Sequence, residues 1–183
     1  MGYTNYWMLK KEIPQETWGK IVEDCKKLYK HLPKHTDSAG GYYSDKPLYL
    51  NGCFAYKLPQ FNSKMIHFNG GSCPAKDRVK DDYRWRDLGY KENQEDLGHE
   101  TFDIRPAPKK CEWGKDSDGF SFCKTSRKPY DLMVKAVLIV CKHYLKDDID
   151  ISSDGDGEDW IEAAKFVQSI LGYVSEYVVC ALI

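Results

Sequence analysis

The hydrophobic and polar positions along the chain fall into two repeating patterns, and their order predicts the elements. Residues 2–9 (GYTNYWML) are aromatic and β-prone and read as a strand. From Pro14 onward apolar residues return at helical spacing, as Trp18, Ile21, Val22, Cys25, Leu28, Tyr29 and Leu32, with Lys20, Glu23, Lys26, Lys27 and Lys30 outside. Pro14 suits a first helical position, Glu16 favours the dipole there, and Pro33 stops the segment. Short strands are predicted at Leu48–Gly52, Met65–Gly71 and Thr101–Ile104, the first two containing the turn-forming pair Asn-Gly. His35–Ser44 and Cys111–Gly119 read as loops. Lys76–Gly98 is crowded with charge, lacks a helical face, and reads as a surface excursion.

The stretch Phe120–Leu145 carries the strongest pattern. Phe120, Phe122 and Lys124 alternate with Ser121, Cys123 and Thr125, as in a strand. Leu132–Leu145 is then apolar nearly all round, which predicts a central helix covered on several sides. Asp148–Ile151 alternates as a short strand. Asp159–Leu171 reads as a third helix, with Trp160, Ala163, Ala164, Val167, Ile170 and Leu171 on one face and Gly172 as its C-cap. Tyr177–Cys180 reads as a closing strand. The order β-α-β-β-β-β-α-β-α-β predicts a single α+β domain over residues 1–183, a mostly antiparallel sheet with about three helices packed on it.

Charge and composition then limit the partners. Lys and Arg number 27 against 28 Asp and Glu, a net charge of -1, so there is no global attraction for a nucleic-acid polymer or an anionic membrane. Any contact with a nucleotide must come from a local patch. Thirteen Tyr and five Trp supply rings for packing and for stacking. The seven cysteines (Cys25, Cys53, Cys73, Cys111, Cys123, Cys141 and Cys180) are scattered singly, which fits reduced thiols in a cytoplasmic protein better than a zinc site. No apolar run approaches membrane-spanning length.

Candidate chemistry collects at the start of the central helix. Lys124, Thr125, Ser126, Arg127 and Lys128 stand where free N–H groups and the macrodipole attract anions. Lys124, Arg127 and Lys128 would hold phosphate or carboxylate, with Thr125 adding a hydroxyl donor. Tyr3, Tyr6, Trp7 or Tyr130 could stack on a base. The competing reading is that these residues cap the helix and pair with nearby acids. The glycines of a P-loop are missing. For an enzyme acting on a phosphorylated substrate, the acid–base candidates are His99 and Glu100, with Asp154 orienting water or metal. The segment Ser152–Asp159 lacks the glycine and glutamate spacing of a calcium-binding EF-hand. A divalent ion on Asp154 and Asp156 is weighed there against a turn that caps the third helix. No metal and no cofactor are expected.

The combination of Met1-Gly2-Tyr3-Thr4-x-Tyr6-Trp7, His99-Glu100-Thr101-Phe102, Phe122-Cys123-Lys124-Thr125-x-Arg127-Lys128-Pro129-Tyr130-Asp131 and Ser152-Ser153-Asp154-Gly155 resembles an uncharacterised family of small bacterial and phage proteins. The resemblance spans most of the chain in separate motifs and brings no activity with it. It implies a bacterial cytoplasm, and a role comparable to phage sponges that sequester a host immune nucleotide signal. The leading expectation is therefore a binding protein for a small phosphorylated, nucleotide-like molecule. An enzyme (hydrolase or transferase) is the first alternative, and a protein-interaction module that inhibits a host factor through residues 76–98 the second. Oligomeric state is left open.

Overall fold

The fold is described from a computed structural model over residues 2–36, 45–52, 57–74, 97–110 and 118–173. The expected excursion at 76–98, apart from Leu97 and Gly98, and the closing strand at 177–180 lie outside the described residues, as does most of the loop at 35–44. Ten elements follow in the order β1 (Thr4–Leu9), α1 (Gln15–Lys30), β2 (Tyr49–Asn51), β3 (Gln60–Phe61), β4 (Ile66–Gly71), β5 (Phe102–Ile104), β6 (Phe120–Lys124), α2 (Asp131–Leu145), β7 (Ile149–Ser153) and α3 (Ile161–Leu171). The architecture is α+β. Its strands divide between two antiparallel sheets, a three-stranded one in the order β6-β1-β7 and a four-stranded one in which β4 pairs with β2, β3 and β5.

Helix α2 occupies the centre because it has no polar face to give to water. Leu132 to Cys141 are all buried, Lys135 among them. α1 and α3 both pack against it, along with β1 and β7. α1 buries the expected stripe of Trp18, Ile21, Val22, Cys25 and Leu28. The third helix begins with a tight 3-10 turn, Gly157–Trp160, where the Asp156 carboxylate accepts from the Glu158 N–H at 3.0 Å, and it ends on Gly172 in the left-handed conformation. Cys25, Cys123 and Cys141 are buried free thiols and Cys73 is a half-buried one. Burial pushes the Cys141 thiol up to about 12. No described helix is long and apolar enough to cross a membrane.

The two sheets meet through a run of rings. Trp7 of β1 lies 5.1 Å from Phe102 of β5, and Phe102 lies 5.1 Å from Phe68 of β4. At the far end of α2, Asp24 of α1 gathers three donors. Tyr144 and Tyr173 donate to one carboxylate oxygen at 2.7 and 2.8 Å, and Lys27 donates to the other at 2.7 Å. Burial pushes the Asp24 carboxyl up, but these bonds outweigh it and hold it below the usual carboxylate range. A depressed native pKa means that Asp24 contributes its full stability above the unfolded value of about 3.9 and loses it as pH falls through the native value. Asp24→Asn is therefore expected to flatten the acid side of the stability curve below about pH 4, read as urea midpoints against pH. Equal slopes in the two proteins would contradict the role given to Asp24.

Candidate functional site

The link from β6 to α2 is a strained loop fixed from many sides. Ser126 and Arg127 both have positive φ, 54° and 58°, a conformation that side-chain-bearing residues rarely adopt and that costs on the order of 1–3 kcal/mol where it persists. The loop is held there because the N–H groups of Thr125 and Ser126 both donate to the Tyr3 carbonyl, at 2.9 and 3.0 Å, and Lys128 N–H closes back on the Thr125 carbonyl. The first N–H groups of α2 are taken by the same turn, Asp131 donating to the Lys128 carbonyl and Leu132 to that of Pro129.

The cations of this loop meet the chain's own oxygens. Arg127 grips the Asp159 carboxylate with two nitrogens, and its guanidinium lies 4.2 Å from the centre of the Tyr3 ring. A side chain at Gly155 would collide with that carboxylate, so the close approach needs glycine. Lys128 donates to the Gly98 carbonyl. Thr125 is fully buried and donates to Asp131 at 2.5 Å. Asp131 also accepts from Asn5 at 2.7 Å and pairs with Lys135 at 2.7 Å, both ions being buried. Burial disfavours the Lys135 charge, but Asp131 outweighs it and the ammonium stays above its ordinary range. Tyr130 is fully buried, with its hydroxyl on the Glu100 carbonyl at 2.8 Å. Among the expected stacking rings, Tyr3, Trp7 and Tyr130 are buried and Tyr6 is half-buried.

The expected acid–base residues are also engaged. The Glu100 carboxylate accepts from Lys124 N–H at 2.7 Å. Asp154 accepts from Thr4 N–H and from the Tyr6 hydroxyl, at 2.9 and 2.8 Å. His99 is exposed, and its backbone is bonded to Asn69. The described residues contain no cluster of three or more His, Cys, Asp or Glu able to hold a metal ion.

A different place is open. Residues 100–109 run antiparallel to residues 119–124, and the main-chain hydrogen bonds between the two lie at the ends, where Glu100 N–H meets the Lys124 carbonyl at 3.2 Å and Gly119 N–H meets the Lys109 carbonyl at 2.8 Å. Between these contacts the chains part around a cleft of about 830 Å³, within the range of small-molecule sites. Thr101, Asp103, Arg105 and Lys109 line one wall, and Phe120, Ser121 and Phe122 the other. Buried Trp7, Leu9 and Ile104 form the floor. Gly119 hands its carbonyl to Leu9 N–H, so the two-residue period of an antiparallel ladder turns the main-chain groups of Phe120 and Phe122 toward the cleft.

The polar wall is pre-arranged. Asp103 accepts from Arg105 Nε at 2.9 Å and from Arg105 Nη2 at 3.3 Å, and His67 Nδ1, on β4, lies 2.8 Å from the Asp103 Oδ2. Burial pushes the Asp103 carboxyl up, but the Arg105 and His67 bonds outweigh it and hold it below the carboxylate range. Arg105 remains 58% exposed and is aimed by this pairing. In the sequence His67, Asp103 and Arg105 stand apart with no spacing rule joining them. The available signal was the outward parity of Asp103 and Arg105 on a strand whose alternate residues, Phe102 and Ile104, are core.

The fold and the cleft together define an α+β protein with an open cleft of apolar and charged lining, Arg105 and Lys109 beside Asp103. No family model matches the chain, and no curated protein or solved structure matches it.

Proposed function

We propose that the protein binds a small phosphorylated, nucleotide-like molecule, and that the site is the cleft between residues 100–109 and β6. The observation that carries this reading is the opposition of the two walls, rings on one side and, on the other, exposed Lys109 with Arg105, which stays 58% exposed beside its partner Asp103. A base would lie against Phe122 with its polar edge on the main chain of β6, and the phosphate would meet Arg105 and Lys109. Thr125, Arg127 and Lys128 support the site from behind, because their side chains hold the chain's own acids and a carbonyl, and Lys124 closes β6 beside them. A small protein of this kind would act by sequestration, as expected of a phage sponge for a host nucleotide signal.

The test is a thermal-shift screen against nucleotides, cyclic dinucleotides and ADP-ribose derivatives, followed by titration of variants. Arg105→Ala is expected to weaken a bound phosphorylated ligand by about tenfold or more, the usual weight of a charge-assisted bond, with little change in melting temperature. Loss of binding in the Lys124→Ala/Arg127→Ala double variant, with Arg105→Ala unaffected, would return the site to the loop. An enzymatic reading has one observation in its favour, the His67–Asp103 pair beside the cleft, where the carboxylate would orient the imidazole as a general base. Heat denaturation separates the two, since a binding protein returns its ligand intact and an enzyme returns product.

A further inference from the structure

The outward face of the β6-β1-β7 sheet carries rings that the core does not use. Tyr6 and Met8 of β1 stand opposite Phe122 and Phe120 of β6. Phe120 is 42% exposed and Phe122 55%. Exposed rings on a strand are a liability for aggregation and mark interaction surfaces where they persist. Tyr6 is also held still. Its hydroxyl donates to Asp154, whose other oxygen is fixed by Thr4 N–H. The Tyr6 and Phe120 rings lie 6.2 Å apart with their planes only 21° from parallel. A ring already fixed has little freedom to lose on binding. Because Phe120 and Phe122 belong both to this face and to the cleft wall, the two surfaces are continuous.

We propose that Tyr6 is the centre of a second aromatic subsite, and that the ligand carries two bases joined through phosphate. One base occupies the cleft against Phe122 and the other stacks on Tyr6. The charges around the face favour a dinucleotide over a polymer. Lys124 stands at one end beside the rings, while Lys10 at the other end is paired with Asp150 at 2.9 Å. Asp154 is engaged by Thr4 and Tyr6, and Arg105 and Lys109 serve the cleft. Among the described residues these few cations suit one or two phosphates, whereas a groove that tracks a strand needs a longer cationic run.

The inference rests on the cleft reading, and calorimetric titration at one fixed salt concentration separates their failures. The probes are AMP and GMP, the 5′-phosphorylated dinucleotides pApA and pGpG, and a long oligodeoxyadenylate. A dinucleotide is expected to bind about tenfold or more tighter than its mononucleotide, the gain of one stacked base. Tyr6→Ala and Tyr6→Leu should reduce the dinucleotide to the affinity of the mononucleotide and leave the mononucleotide unchanged, while Tyr6→Phe, which keeps the ring but loses the bond that fixes it, retains part of the gain. Equal affinities for mono- and dinucleotide overturn the second subsite and leave the cleft reading standing. No binding of any mono- or dinucleotide overturns both. Tightest binding to the long oligonucleotide, with a steep loss on adding salt, overturns the dinucleotide reading in favour of a strand binder.

Discussion

Asp131→Ala is expected to lower the stability of the protein by about 3–5 kcal/mol, the cost of leaving a buried ion without its partner. Asp131 is 2% exposed and Lys135 4%, so water cannot replace the missing carboxylate. The substitution also leaves the Asn5 amide without its acceptor and the Thr125 hydroxyl with only the long 3.5 Å contact to the Tyr3 carbonyl. Equilibrium urea unfolding reads the loss directly. The Asp131→Leu/Lys135→Met double variant should recover part of it, because removing both charges ends the uncompensated burial. Recovery should be incomplete, since Lys135 also donates to the Asp159 carbonyl at 2.8 Å and sits 4.5 Å from the centre of the Tyr3 ring. A loss below about 1 kcal/mol for Asp131→Ala would show that the pair is as weak as a surface one.

Phe102→Ala should cost a comparable amount, about 3–5 kcal/mol, for a different reason. Its ring is fully buried and touches Trp7 on one sheet and Phe68 on the other, so truncation opens a cavity at the seam between the sheets. Trp7 also forms part of the cleft floor, so ligand affinity should fall together with the urea midpoint. Phe122→Ala provides the contrast. At 55% exposure it should change stability by no more than about 0.5 kcal/mol while weakening ligand binding. A Phe122→Ala protein that is strongly destabilised and still binds normally would mean the ring is structural.

Much of the local structure was legible in the chain. The stripe from Trp18 to Leu28, the all-round apolar run after Asp131 and the left-handed cap at Gly172 are patterns of three to four residues, and helices form where such patterns occur. The two-residue strand β3, Gln60–Phe61, was not legible, because so short a segment has no period of its own and exists through its pairing with β4. The division into two sheets was hidden for the same reason, since alternation shows that a segment is a strand without naming its neighbour.

The candidate site divides along the same line. From Phe120 to Asp131 the sequence showed cations and hydroxyls gathered before a buried helix, and that placement is correct. The partners of those groups come from elsewhere. Arg127 meets Asp159, Lys128 meets Gly98 and Asp131 meets Asn5, each contact closed by the packing of separate elements around α2. The helices and the longer strands follow from the sequence alone because backbone sterics and side-chain period act over a few neighbouring residues. The pairing of charges and the open cleft beside β6 depend on which distant segments are brought together, and only burial of the common core decides that.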